Sequence, residues 1–221
     1  MTRTWLRTLA GAFVALYLAG TLPAEAGDIE GQVSISSTVP PRVRGKKRVS
    51  YYEDQDEGGL PPGTEVDERE FVVIGLEGKN LKSTPKTVDM VQQNKDFVPH
   101  VLVISRGSTV RFVNNDRIYH HIYSVSNPGA FEIRRYLGKS KTKTFEEPND
   151  LEIFCGIHPR MNAYIYVADN DFFCQPKGGR FKLKGVPAGT YTLKVWHPRL
   201  KTVTRPVTVP ESGTATVDLK L

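Results

Sequence analysis

From Thr87 to Val167 apolar residues recur at every second position, in short runs broken by Gly, Pro and Asn, and no stretch keeps a helical period. The runs are Val88–Gln92, His100–Ile104, Thr109–Val113, Ile118–Val125, Thr142–Phe145, Leu151–Cys155 and Ala163–Val167. Side chains alternate between the two faces of a strand, so each run has one face to bury. Seven such runs in about 80 residues predict a β-sandwich. The same texture continues in Arg180–Lys184, Thr190–Trp196, Thr202–Val209 and Thr214–Leu221, with Gly185–Gly189 read as a loop. The chain is therefore expected to be all-β.

The N-terminus has a different character. Arg3 and Arg7 precede a short apolar run, Leu9–Leu18, and Ala24-Glu25-Ala26 follows with an A-x-A pattern. This order reads as a secretory signal peptide over residues 1–26, and the run is too short to span a bilayer comfortably. The implied location is periplasmic or secreted, with no membrane span after cleavage. A mean hydropathy of −0.35 agrees with a soluble body. Cleavage removes two arginines and one glutamate, which lowers the formal charge from +6 to +5. The basic residues form no block interleaved with aromatics, so nucleic acid is not expected as a partner.

Asp28–Ser36 places Ile29, Gly31, Val33 and Ile35 on one strand face, and Val49–Tyr52 suggests a second short strand. Glu53–Glu68 reads as an acidic solvated loop, and Glu70–Leu76 as a buried strand. The expected divisions are residues 27–86, N-terminal strands and acidic loop; 87–168, one sandwich; and 169–221, C-terminal strands. The two end pieces are each too short to bury a core alone. They are expected to form one sandwich around the inserted middle, with Ile29, Val33 and Val73 against Phe181, Leu193 or Val195.

Cys155-Gly156-Ile157-His158-Pro159-Arg160-Met161 carries the chemistry. A thiol, an imidazole and a thioether spaced C-x2-H-x2-M can converge from one short loop. These soft to borderline donors suit copper, whereas zinc sites seldom use Met and calcium or magnesium prefer oxygen. A trigonal His2Cys site with an axial Met needs one more His. On the strand Ile118–Val125, His120 shares the more apolar face with Ile118 and Ile122, while His121 points the other way. His120 is therefore the second imidazole, and His100 and His197 are read as structural or surface residues. The alternative for the two cysteines is a Cys155–Cys174 disulfide. Gly138-Lys139-Ser140 lacks the strand and the earlier Gly of a phosphate loop.

With these residues in view, 87–168 resembles a cupredoxin, and the loop spacing is similar to that of the amicyanin type of blue copper protein. The resemblance implies one type 1 copper held by His120, Cys155, His158 and Met161. It departs at His121, where the family usually has an Asn that ties the ligand strand to the Cys loop. Gly179-Arg180-Phe181 and Gly185-Val186-Pro187-Ala188-Gly189-Thr190-Tyr191 resemble a carboxypeptidase regulatory-like, or transthyretin-like, β-sandwich. Together the two parts are similar to exported plastocyanin-like proteins of the methylamine-utilisation type. The implied role is one-electron transfer with a redox protein partner, a cytochrome or a dehydrogenase, and no enzymatic activity. Copper storage or delivery, or a structural module with a vestigial site, are the alternatives.

Overall fold

The computed structural model describes residues 26–36, 38–39 and 66–221. The signal-like segment before Ala26, the short strand expected at Val49–Tyr52 and nearly all of the acidic loop lie outside the described residues. Among the described residues there are seventeen strands and no α-helix. In chain order they begin β1 (Ala26–Ser34), β2 (Val73–Glu77), β3 (Thr87–Gln93), β4 (Asp96–Val98), β5 (Val101–Ser105) and β6 (Ser108–Asn114). β7 (His120–Ser124), β8 (Phe131–Tyr136), β9 (Ser140–Phe145), β10 (Asn149–Cys155) and β11 (Asn162–Ala168) follow. The last are β12 (Phe173–Cys174), β13 (Arg180–Pro187), β14 (Gly189–His197), β15 (Leu200–Val209), β16 (Thr214–Thr216) and β17 (Leu219–Lys220).

Strands β3 to β11 make two facing sheets, ordered β4-β3-β6-β9 and β5-β11-β10-β7-β8. Met90, Phe97 and Phe112 of the first meet Ile122, Ile153 and Ile165 of the second in one closed core. This middle sandwich is the all-β sandwich expected for residues 87–168. Its strands β4 and β8 escape simple alternation. Asp96-Phe97-Val98 is too short to show a period, and Arg134-Arg135 breaks that of β8.

The chain ends meet. β1 pairs antiparallel with β13 and parallel with β16 and β17, while β2 lies between β12 and β14. Ile29 and Val33 share a core with Phe181, Leu193 and Val195. Val73 does not join them. β2 turns Ile74 and Leu76 into that core, and Val73 falls by alternation on the opposite face with Trp196, Tyr166 and Val101. The strand expected at Glu70–Leu76 is also corrected. Glu68–Phe71 is a 3-10 turn with Asp67 as its cap, accepting from the Arg69 N–H, and the strand starts at Val73. Gly185–Gly189 is not a long loop, because β13 runs to Pro187 and β14 begins at Gly189.

The contact between the two sandwiches explains a sequence feature. β5 and β11 are parallel and covered on both faces, by the middle core and by the cluster around Trp196. Their sequences, Val-Leu-Val-Ile and Ala-Tyr-Ile-Tyr-Val-Ala, are accordingly almost continuously apolar. Tyr166 lies 5.2 Å and Tyr164 6.2 Å from Trp196, ring centre to ring centre, so aromatic side chains fill this contact.

Candidate metal centre

The site lies at one end of the middle sandwich, where β7 starts and β10 stops. Antiparallel pairing sets Cys155 opposite Ile122 and Phe154 opposite Tyr123, which brings the loop after Cys155 back over the start of β7. Backbone hydrogen bonds close that loop. The Cys155 N–H donates to the Met161 carbonyl at 3.0 Å, and the Met161 N–H donates to the His158 carbonyl at 3.0 Å. The Gly156 N–H donates to the His121 carbonyl at 2.8 Å, so a main-chain bond ties the ligand strand to the loop at the position where His121 replaces the family's usual Asn.

His120 is fully buried and Cys155 nearly so, as strand alternation predicted. His120 Nδ1 lies 3.7 Å and His158 Nδ1 3.4 Å from Cys155 Sγ, and the three donor atoms fall within 4.8 Å of one another. An ion bound by N at about 2.0–2.1 Å and S at about 2.3 Å, at trigonal to tetrahedral angles, needs N···S separations of about 3.5–3.8 Å, which includes the His120 distance and is just above that of His158. The residues present therefore fit a small, soft-to-borderline metal ion. Met161, 1% exposed, belongs to the same core as Cys155, which brings the fourth expected residue under the loop.

Sequence reading missed the residue that orients His120. Its Nε2 lies 2.8 Å from Asp116 Oδ2. An ionised carboxylate only accepts, so Nε2 carries the hydrogen and Nδ1 keeps its lone pair toward the thiol. Asp116 also accepts the N–H groups of Asn94 at 2.7 Å and Lys95 at 3.0 Å. These two residues form the β3–β4 turn and both have positive φ, 55° each. One carboxylate thus locks a hairpin turn and a ligand side chain together. Burial pushes the Asp116 pKa up, but the Lys95, His120 and Asn94 hydrogen bonds outweigh it and leave the carboxyl below its ordinary value. Burial lowers the His120 pKa, against the raising effect of Asp116. The signal was an Asp four residues before the ligand, which has no meaning until the loop between them is folded.

His121 lies outside the donor cluster. Its Nε2 is 2.9 Å from Glu132 Oε1, and its ring packs on Gly156. Cys174 is a free thiol in the end sandwich, on β12, and Cys155 is also free, so no disulfide joins them. Burial raises the Cys174 pKa to about 11, which keeps it a thiol at neutral pH. His100 packs at a tilt on Phe71 and edge-on to Tyr164, and buried His197 belongs to the contact with the 3-10 turn. Neither joins the cluster.

No protein-family model and no curated protein sequence matches the chain. Solved structures do. A Cu-containing nitrite reductase from Thermus scotoductus SA-01 matches at 30% identity over 41% of this chain, with a TM-score of 0.35, and this chain covers 24% of its length. Amicyanin from Paracoccus versutus matches at 20% identity over 42% of this chain and 96% of its own, TM-score 0.35. A purple cupredoxin from Nitrosopumilus maritimus matches at 25% identity over 37% of this chain and 98% of its own, TM-score 0.32. The nitrite reductase corrects one expectation. The matches include an enzyme, so the exclusion of enzymatic activity is withdrawn. The physical reason is that a donor set selects the ion held, not what is done with its electron.

Proposed function

We propose that this is an exported type 1 copper protein, periplasmic or secreted, that passes single electrons between redox proteins such as a cytochrome and a dehydrogenase. The observation that carries the proposal is the triangle of His120 Nδ1, Cys155 Sγ and His158 Nδ1, with two donors buried and one half-buried and with separations close to those of a bound ion. Copper, when bound, supplies the Cu(I)/Cu(II) couple. The chain's own residues do the rest. Cys155 would provide the thiolate, His120 and His158 the imidazoles and Met161 a thioether to hold the copper. Asp116 and the strand backbone hold His120 before metal arrives, so little reorganisation accompanies a change of charge. The apolar core beneath, with Ile122 and Ile153 fully buried, excludes water from the thiolate.

The signal-like N-terminus supports export, and the amicyanin and purple cupredoxin matches support copper. The end sandwich is read as a regulatory-like module into which the cupredoxin, 87–168, is inserted, on the pairing of β1 with β13 and of β2 with β14. The deciding experiment is the visible spectrum of the copper-loaded protein. A strong thiolate-to-Cu(II) charge-transfer band, lost in Cys155→Ser, is expected. A colourless Cu(II) complex would reject the type 1 assignment, and loss of copper on each reduction cycle would favour storage or delivery.

A further inference from the structure

The edge strands of the two middle sheets, β8 and β9, are consecutive in the chain, and after Glu132, which bonds His121, they carry only positive charge. Arg134, Arg135, Lys139, Lys141 and Lys143 are all exposed, and no Asp or Glu occurs from Ile133 to Phe145. Several other surface cations are paired, as in Arg111–Asp89, Arg106–Asp169 and Lys182–Asp28. None of these five has an acidic partner among the described residues.

Their placement follows from a bulge. His120 pairs with Tyr136 and Ile122 with Ile133, so one residue of β7, His121, faces two of β8, Arg134 and Arg135. Regular alternation would turn one arginine inward. The extra residue lets both point to solvent. The bulge therefore puts two guanidinium groups beside the rung that holds His120. One step beyond that rung stand Leu137, 41% exposed, and Tyr119, 55% exposed. Apolar residues flanked by cations, at the end where the metal ligands lie, have the make-up of an interface centre and rim.

We infer that this bulged β8–β9 edge is the docking surface for the acidic face of a redox protein. The inference rests on the electron-transfer reading and adds the chemistry of the partner and the place where it binds. Complementary charge would concentrate and orient that partner next to His120, an effect that speeds association by ~10–1000-fold at low salt and fades as salt shortens the screening length.

The test uses one haem protein in two charge states, native basic cytochrome c and its succinylated, acidic derivative. Binding is first measured by calorimetry on the metal-free protein, so that it does not depend on copper. Electron exchange with the copper-loaded protein is then followed at the haem band. The succinylated form should bind and exchange at least about tenfold better than the native form at low ionic strength, and lose that advantage at high salt. Arg134→Glu/Arg135→Glu should abolish the preference. Lys201→Glu/Arg205→Glu, the same charge change on β15 of the end sandwich, should leave it. Equal effects of the two double variants would reduce the result to net charge and overturn the inference. Unchanged binding with self-association of Arg134→Glu/Arg135→Glu would make the cations guards of open sheet edges and overturn it too. So would capture by anionic lipid vesicles without binding of the succinylated protein. If the copper band is absent while binding that depends on Arg134 and Arg135 persists, the electron-transfer reading fails and the docking surface stands.

Discussion

Replacing Asp116 separates the orienting of His120 from the ligation itself. The carboxylate accepts three N–H groups, from Asn94, Lys95 and the ring of His120, at 2.7, 3.0 and 2.8 Å. In Asp116→Ala the two turn N–H groups regain water, at a net loss of about 0.5–1.5 kcal/mol each. The His120 N–H is fully buried and finds no substitute, which costs about 1–3 kcal/mol. The metal-free protein should therefore lose about 2–6 kcal/mol in urea unfolding. Copper affinity is a separate measurement. Removing the group that fixes a ligand's tautomer and ring angle typically weakens binding ~10–100-fold, or about 1.4–2.7 kcal/mol. Competition against a Cu(I) chelator reads this directly. Asp116→Asn keeps one acceptor and should fall between wild type and Asp116→Ala in both assays. If Asp116→Ala keeps its copper affinity within twofold while unfolding more easily, the carboxylate serves only the hairpin, and the argument that it prepares His120 is wrong.

Three further outcomes follow from the same geometry. His120→Ala should abolish the charge-transfer band, whereas His121→Ala should at most shift it; the opposite order in absorption spectra would mean that the strand binds metal in another register. Gly156→Ala puts a Cβ 2.6 Å from His121 Nδ1, so it should destabilise by about 1–3 kcal/mol in urea unfolding, and His121→Ala in the same chain should restore most of that; no rescue would place the strain elsewhere. The metal-free protein should weaken as pH falls below about 6.5. Burial, helped by Arg199 and opposed by Glu68, holds the His197 pKa below its ordinary value, so the unfolded chain takes up the proton first. This stability is complete above 6.5 and lost toward the folded value, and His197→Gln should reduce the fall of the urea midpoint between pH 7 and 5, leaving the share of buried His120. A slope unchanged by that substitution would remove His197 from the account.

The coordinating loop was legible because its geometry is local. Cys155, His158 and Met161 lie within seven residues, and the covalent chain keeps them close in any fold that turns there. The choice of His120 over His121 was legible for a similar reason, since strand alternation is a property of the backbone and needs only one buried face to give it a sense. The seven middle strands and most of the end strands could be read in the same way. Three kinds of feature could not. Asp116 is an ordinary loop acid until the β3–β4 turn comes within hydrogen-bond reach of it. Arg134 and Arg135 look like a break in β8, and only its pairing with β7 shows a bulge that turns both outward. Val73 looks like its neighbours Val72 and Ile74. Its place opposite Trp196 depends on a second sandwich packing against β2 from the other side. Sequence thus determined which side chains one stretch of backbone can present together. Tertiary structure decided which distant groups meet them, because that depends on which faces find each other to escape water.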